Sequence, residues 1–115
     1  MDEQYHEPVK ELSQEARDRA RAFKSLIEEI EAVDWYDQRV ATEMDTELRD
    51  ILIHNRTEEI EHAVMILEWI RRKMPEAFDP QLEKYLFTQA KITELEHEDE
   101  GGKSAPKGLK IGKIK

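Results

Sequence analysis

From Pro8 to Pro75 the chain contains no internal glycine or proline, and apolar residues recur through it at steps of three and four. Residues so spaced share one face at about 100° per residue, which is the pattern of an amphipathic helix. In the first half the recurring positions are Leu12, Ala16, Phe23, Leu26, Ile27, Ile30 and Val33, predicting one long helix from Pro8 to about Arg39. Pro8 suits the first turn, where a missing N–H forfeits no bond. Ala41 to Thr46 reads as a short polar connection, with Asp45 or Thr46 as N-cap. A second long helix then runs to about Lys73 and is stopped by Pro75. Two long helices joined by so few residues fold back as an antiparallel hairpin.

The second helix carries an anomaly. Its stripe reads Leu48, Ile51, Leu52, Asn55, Glu59, His62, Ile66, Trp69 and Ile70, so a carboxylate and an imidazole stand on the face a helix buries. Taking an ionised carboxylate out of water costs several kcal/mol even after relaxation. The face is therefore wet, or the acid is protonated, or a cation binds there. Glu59-x-x-His62 favours the cation, because positions i and i+3 lie one above the other and can reach one ion together.

On the first helix Glu29 sits at the edge of the apolar stripe beside Ala22, Leu26, Val33 and Tyr36, whereas Glu28 and Glu31 point away. Carboxylate oxygens with a neutral imidazole suit Fe, Mn or Zn. Di-metal carboxylate proteins built in four-helix bundles take a Glu from each of two helices and a Glu-x-x-His from each of the other two. This chain holds half of that set. In two copies, four carboxylates balance two divalent cations, and a two-helix hairpin lacks a closed core of its own. The expectation is a homodimer with the metal site between its chains and Glu59 bridging. The alternative from the same residues is a polar seam in a non-catalytic helical dimerisation module.

The remaining residues bound the protein further. At 115 residues the chain is one domain at most, and with 38% hydrophobic against 39% charged residues it is poor in core-building side chains. A net charge of −9 argues against nucleic acid and anionic membrane as partners. Without cysteine there is no disulfide, thiolate ligand or cysteine nucleophile. The lack of a long apolar run or a basic-then-apolar leader makes a soluble intracellular protein the expectation. Asp79-Pro80 is expected to restart a short C-terminal helix with Leu82, Tyr85 and Leu86 on its apolar edge. The organisation expected is a helical domain over 1–95 and a flexible acidic, then Gly/Lys/Pro linker over 96–108, disordered from about Glu96 onward. A terminal segment over 109–115 alternates apolar with basic or glycine residues.

Three stretches carry a family resemblance: Ile27 through Arg39, His54 through His62 continuing from Leu67 to Arg72, and Tyr85 to Thr88. They resemble the encapsulated ferritins, short ferritin-like cargo proteins of encapsulin nanocompartments, over about residues 5–95. The resemblance implies an all-α half ferritin: a two-helix hairpin plus a short C-terminal helix, completing a four-helix-bundle-like di-iron site on dimerisation. It implies a ferroxidase that oxidises Fe(II) with dioxygen at Glu29, Glu59 and His62, for iron storage inside a cytoplasmic encapsulin shell. Glu28 and Glu31 match a further acidic metal site on the iron access route, and Trp35 and Tyr36 lie beside the centre. The dimers would join into a ring, by resemblance a decamer. Leu109, Ile111, Gly112 and Ile114 resemble the peptide that docks such cargo in the shell, although the lysines between them depart from the commoner pattern. A rubrerythrin-like or manganese-catalase-like di-metal peroxidase is the competing enzymatic reading.

Overall fold

In the computed structural model, which describes residues 5–98, no strand occurs among the described residues. A 3-10 turn at Val9–Glu11 precedes four helices: α1 Gln14–Thr42, α2 Thr46–Lys73, α3 Pro75–Tyr85 and α4 Ile92–Glu98. The fold is all-α, and α1 and α2 pack as the antiparallel hairpin that their spacing predicts. The chain divides into two compact units, Met1–Lys73 with the hairpin and Met74–Lys115 with α3 and α4.

The first helix begins later than its apolar periodicity predicts. Pro8 and Val9 close a short turn through their carbonyls, which accept from Glu11 N at 2.9 Å and Leu12 N at 3.1 Å. Ser13 then caps α1, its extended backbone letting Oγ accept from Ala16 N at 3.0 Å. That bond satisfies one of the N–H groups a helix start leaves without a partner, so the chain gains a defined start there. At its other end α1 runs on to Thr42, and only Glu43–Asp45 connect the two helices. Asp45 is the N-cap of α2: its Oδ2 accepts from Leu48 N at 2.8 Å.

The seam between the helices consists of half-buried or buried positions spaced by three and four. On α1 they include Ala22, Leu26, Glu29, Val33, Tyr36 and Val40; on α2, Leu52, Arg56, Glu59, Ala63, Ile66 and Ile70. Glu29 and Glu59 each hold one place in these rows. The predicted α2 stripe is wider than the seam: Ile51 remains 51% exposed, Trp69 37%, and Leu48 and His62 are exposed as well. Within the hairpin one neighbouring helix covers one edge of that stripe and leaves the other edge open. Ile60 and Val64 are exposed on the opposite flank.

Polar links also cross the hairpin. Arg49 Nε donates to the Val40 carbonyl at 3.0 Å, near the end of α1 where carbonyls lack helical partners. Farther from the turn, Arg56 Nη1 reaches Asp37 Oδ1 at 2.7 Å. Toward the C-terminus of α2, Glu68 binds Arg71 and Arg72 of its own helix at 2.8 and 2.7 Å. These guanidinium hydrogen bonds hold its carboxyl down to about 2. A depressed folded-state value means that the contribution of this network is complete above the ordinary glutamate range and is lost as pH falls through about 2. A carbon-detected titration of the Glu68 carboxyl should therefore show a midpoint well under that of an unpaired glutamate, and an ordinary midpoint would refute the pairing.

In the second unit, α3 starts at Pro75 rather than at Asp79-Pro80. Pro75 takes the first helical position, and Pro80 lies inside the helix, where it forgoes one backbone bond. Residues 96–98, expected to begin the linker, belong to α4, which is helical through Glu98 with Leu95 buried; the rest of that expected linker lies outside the described residues. Ile92 and Leu95, three apart, give α4 an apolar edge within an acidic stretch. Lys84 Nζ donates to the Glu96 carbonyl at 3.1 Å.

Phe87, just past α3, has φ 60 and a side chain left 68% exposed. A left-handed backbone at a bulky residue costs roughly 1 kcal/mol or more, and glycine adopts it freely. Phe87→Gly is expected to stabilise the protein by about 1 kcal/mol, read as a higher denaturation midpoint. A loss of stability would show that the exposed ring makes a contact worth more than the backbone strain.

Candidate metal centre

Glu29 and Glu59 lie equally far from Met44 along the chain, fifteen residues on either side. At the helical rise of about 1.5 Å per residue, a hairpin turning at Met44 sets them at the same height, about 22 Å from the turn. His62 stands one helical turn beyond Glu59, where its Nδ1 lies 3.3 Å from Glu59 Oε1 and 3.4 Å from Glu29 Oε1. One donor atom from each of the three residues can be chosen so that all lie within 4.8 Å of one another. The two Glu side chains are mostly covered, whereas the His62 side chain is 47% exposed. The trio thus sits at an edge of the hairpin and opens outward.

The electrostatics follow from that proximity. The Glu29 carboxyl is pushed above its ordinary value, first by the hydrogen bond it shares with Glu59, then by burial and by the Glu59 charge; His62 pulls the other way. For His62, desolvation is the largest single influence and favours the neutral ring, but hydrogen bonds and charges from Glu59 and Glu29 together outweigh it and raise its value. Two acids and a base held this closely share protons that a cation can displace, so metal binding here would release protons and weaken in acid.

The donor set fits a divalent transition metal. Two donors about 2.1 Å from one ion lie about 3.0 to 3.4 Å apart at angles from 90° to tetrahedral, and the His62 separations of 3.3 and 3.4 Å match this. Three donors leave coordination positions for further ligands, and the exposed ring gives a direction from which they can come.

The other residues singled out from the sequence lie outside this trio. Glu28, Glu31 and Trp35 are exposed on α1, and none of them belongs to a three-donor group among the described residues. Tyr36 lies on the seam with the Arg39 guanidinium 5.0 Å from its ring centre. No hydrogen bond among the described residues joins it to Glu29 or Glu59. Leu109, Ile111, Gly112 and Ile114 lie outside the described residues. Asp37 and Arg56, which sequence periodicity gave no reason to select, form the cross-helix ion pair nearest the trio on the turn side. Only their opposite charges on facing helices hinted at it.

Beside the trio, a groove of about 480 Å³ runs along the seam, lined by Ala22, Ser25, Met65, Ile66 and Trp69 with Asp18 at its rim. A second groove of about 280 Å³, on the Ile60 side, is lined by Leu26, Ile30, Val33, Val64 and Leu67 among others. No described helix is long and apolar enough to cross a membrane.

Comparisons with known proteins converge on one group. A family profile described as EncFtn-like matches residues 4–89. A "Ferritin-like protein" of Thermotoga maritima is 59% identical over 102 residues, covering 89% of each chain. An "Encapsulated ferritin-like protein" of Rhodospirillum rubrum is 50% identical over 100 residues, 87% of this chain and 71% of that one. A crystal structure of a Nitrosomonas europaea protein superposes with a TM-score of 0.71 at 60% identity, covering 76% of this chain and 96% of the other.

Proposed function

The chain belongs to the encapsulated ferritin-like (EncFtn-like) family, and on that premise we propose that it is a ferroxidase whose substrate is Fe(II) and whose oxidant is dioxygen. The observation that carries the reading is the convergence of Glu29, Glu59 and His62 donor atoms within 4.8 Å. Two Fe(II) ions held side by side would each give up one electron, and dioxygen would take both with two protons from solvent and leave as hydrogen peroxide. The protein's part is to bind and position: carboxylates offset the growing charge of the metal, and the imidazole fixes its place on α2.

In this reading the site is completed by a second copy of the chain. Three donors are few for iron, two copies supply charge balance for two divalent ions, and the exposed Met65 and Trp69 on the His62 side offer apolar surface for the contact. Glu59 bridges the two ions. Glu28 and Glu31 line the approach of iron, and Trp35 and Tyr36 flank the centre. Such dimers assemble into a larger ring, a decamer. The tail residues Leu109, Ile111, Gly112 and Ile114 dock the assembly inside a cytoplasmic encapsulin shell, where the ferric product is stored; the name of the Rhodospirillum rubrum relative supports that setting.

The test is direct. Fe(II) added anaerobically should shift the native mass from monomer to a metal-loaded even-numbered assembly, and admitting air should then produce ferric absorbance. A wild-type protein that binds no Fe(II), or that turns over peroxide without net iron oxidation, would defeat the ferroxidase reading. Tyr36→Phe should slow oxidation with metal stoichiometry kept, because a hydroxyl that orients a carboxylate acts on the rate more than on occupancy. Within one chain Tyr36 meets neither acid, so the contact would come from the dimer, and unaltered kinetics would remove Tyr36 from the site.

A further inference from the structure

We propose that Arg56 and Asp37 are positioning residues that hold α2 in register against α1, so that Glu29 meets Glu59 and His62 before any metal arrives. The proposal rests on the metal centre described above. Polar links cross the hairpin in sequence from the turn: Arg49 Nε to the Val40 carbonyl at 3.0 Å, Arg56 to Asp37 at 2.7 Å, and then His62 to Glu29 at 3.4 Å. The ion pair is therefore the last tether before the site. Arg56 is on the same helix as Glu59 and three residues from it, so whatever fixes Arg56 axially fixes Glu59.

A tether is needed here because the trio works against its own packing. Glu29 and Glu59 bring two acids together at the seam, where their charges repel unless His62 or a shared proton offsets them. Beyond the site the seam is held by packing of Ala22, Leu26, Ala63, Ile66 and Ile70, which sets the register coarsely, and a hydrogen-bonded ion pair adds a directional restraint. A slide of one residue is about 1.5 Å, whereas a ligand set tolerates only about 0.5 Å. Asp37 lies seven residues from Met44 and Arg56 twelve. The bond thus spans an axial offset of about 7.5 Å at the helical rise. The bond at 2.7 Å limits the drift of Glu59 away from the turn, while Arg49 on the Val40 carbonyl anchors the turn itself.

The pair matters little for stability by itself. Asp37 is 65% exposed, and ion pairs of that kind contribute little. Its effect should be seen in metal affinity, where the pair's own small contribution bounds the shift at about fivefold. A bare charge effect makes a different prediction. Removing the cation at Arg56 would then tighten binding of a divalent ion, and removing the anion at Asp37 would weaken it.

The experiment titrates Co(II) into the full-length protein and reads its visible absorption in wild type, Arg56→Gln, Asp37→Asn and the double variant. Both single variants should weaken Co(II) binding by about two- to fivefold and alter the ligand-field bands, and the double variant should be no worse than either alone because the two act as a unit. Glu68→Gln, which breaks an ion network within α2, should leave the affinity unchanged. Tighter binding by Arg56→Gln, strictly additive losses, or no change in either single variant would overturn the proposal. Failure of the wild type itself to bind Co(II) would instead overturn the metal centre on which it rests. Circular dichroism melts of the variants exclude misfolding as the cause.

Discussion

Glu59→Ala should lose the fast phase of iron oxidation and more than about a hundredfold in Fe(II) affinity, since removing groups that only orient a ligand already costs about 10- to 100-fold. Two observations make Glu59 central to the trio. Its Oε1 lies 3.3 Å from His62 Nδ1. Its hydrogen bond is the largest influence on the Glu29 carboxyl. In a dimer each substitution is present twice at one centre. The variant should still fold, because it leaves the apolar contacts of the hairpin in place. Stopped-flow absorbance after mixing Fe(II) protein with air-saturated buffer reads the rate, and an anaerobic titration reads the affinity. A fast phase of wild-type amplitude would show that the trio is a polar seam without chemistry. Glu29→Ala and His62→Ala should behave alike for the same reason.

Ile70→Ala should cost about 3 kcal/mol of stability, within the 2–5 kcal/mol typical of deleting a buried aliphatic side chain. Ile70 is the one fully buried large side chain among the described residues, at 0% exposure. Within the hairpin unit only Val40, Ala63 and Ile70 are buried apolar residues among those described, so little surrounding mass exists to close over the cavity. Against a typical total of about 5–15 kcal/mol, a loss of that size is a large fraction of what holds the fold. Urea midpoints at one fixed protein concentration measure it, because an assembling chain has a stability that depends on concentration. A cost below about 1 kcal/mol would mean that the site relaxes, and that the hairpin is held mainly by surfaces that a single chain leaves open.

Those open surfaces connect stability to function. Ile30 and Val64 are more than half exposed, at 54% and 57%, and Met65 is 63% exposed. A chain so poor in buried side chains that still builds two long helices needs other surfaces to cover them. A metal-linked dimer would supply packing and ligands together.

Much of this protein was legible in its residues because helix periodicity is local. Three- and four-residue spacing identified α1, α2 and their reversal, and placed Glu29, Glu59 and His62 on apolar edges without knowledge of any neighbour. The proline at 75 marked the end of α2 because a missing N–H acts on its own turn. Other features depend on what stands opposite. Ser13 sits in a continuing apolar rhythm and becomes a cap only because the chain before it turns. Pro75 and Pro80 both suit a first helical turn, and the fold used the earlier one. α4 was hidden because its acidic composition outweighed the Ile92 and Leu95 spacing. The α2 stripe is wide enough to pack at several rotations, and only the position of α1 selects the edge with Ala63 and Ile70 and leaves Trp69 open. The Arg56–Asp37 bond exists only at one axial register. Spacing along a chain determines which side chains share a face, but the relative rotation and slide of two helices are set by their contact, and so only the tertiary structure decided which donors meet and what holds them there.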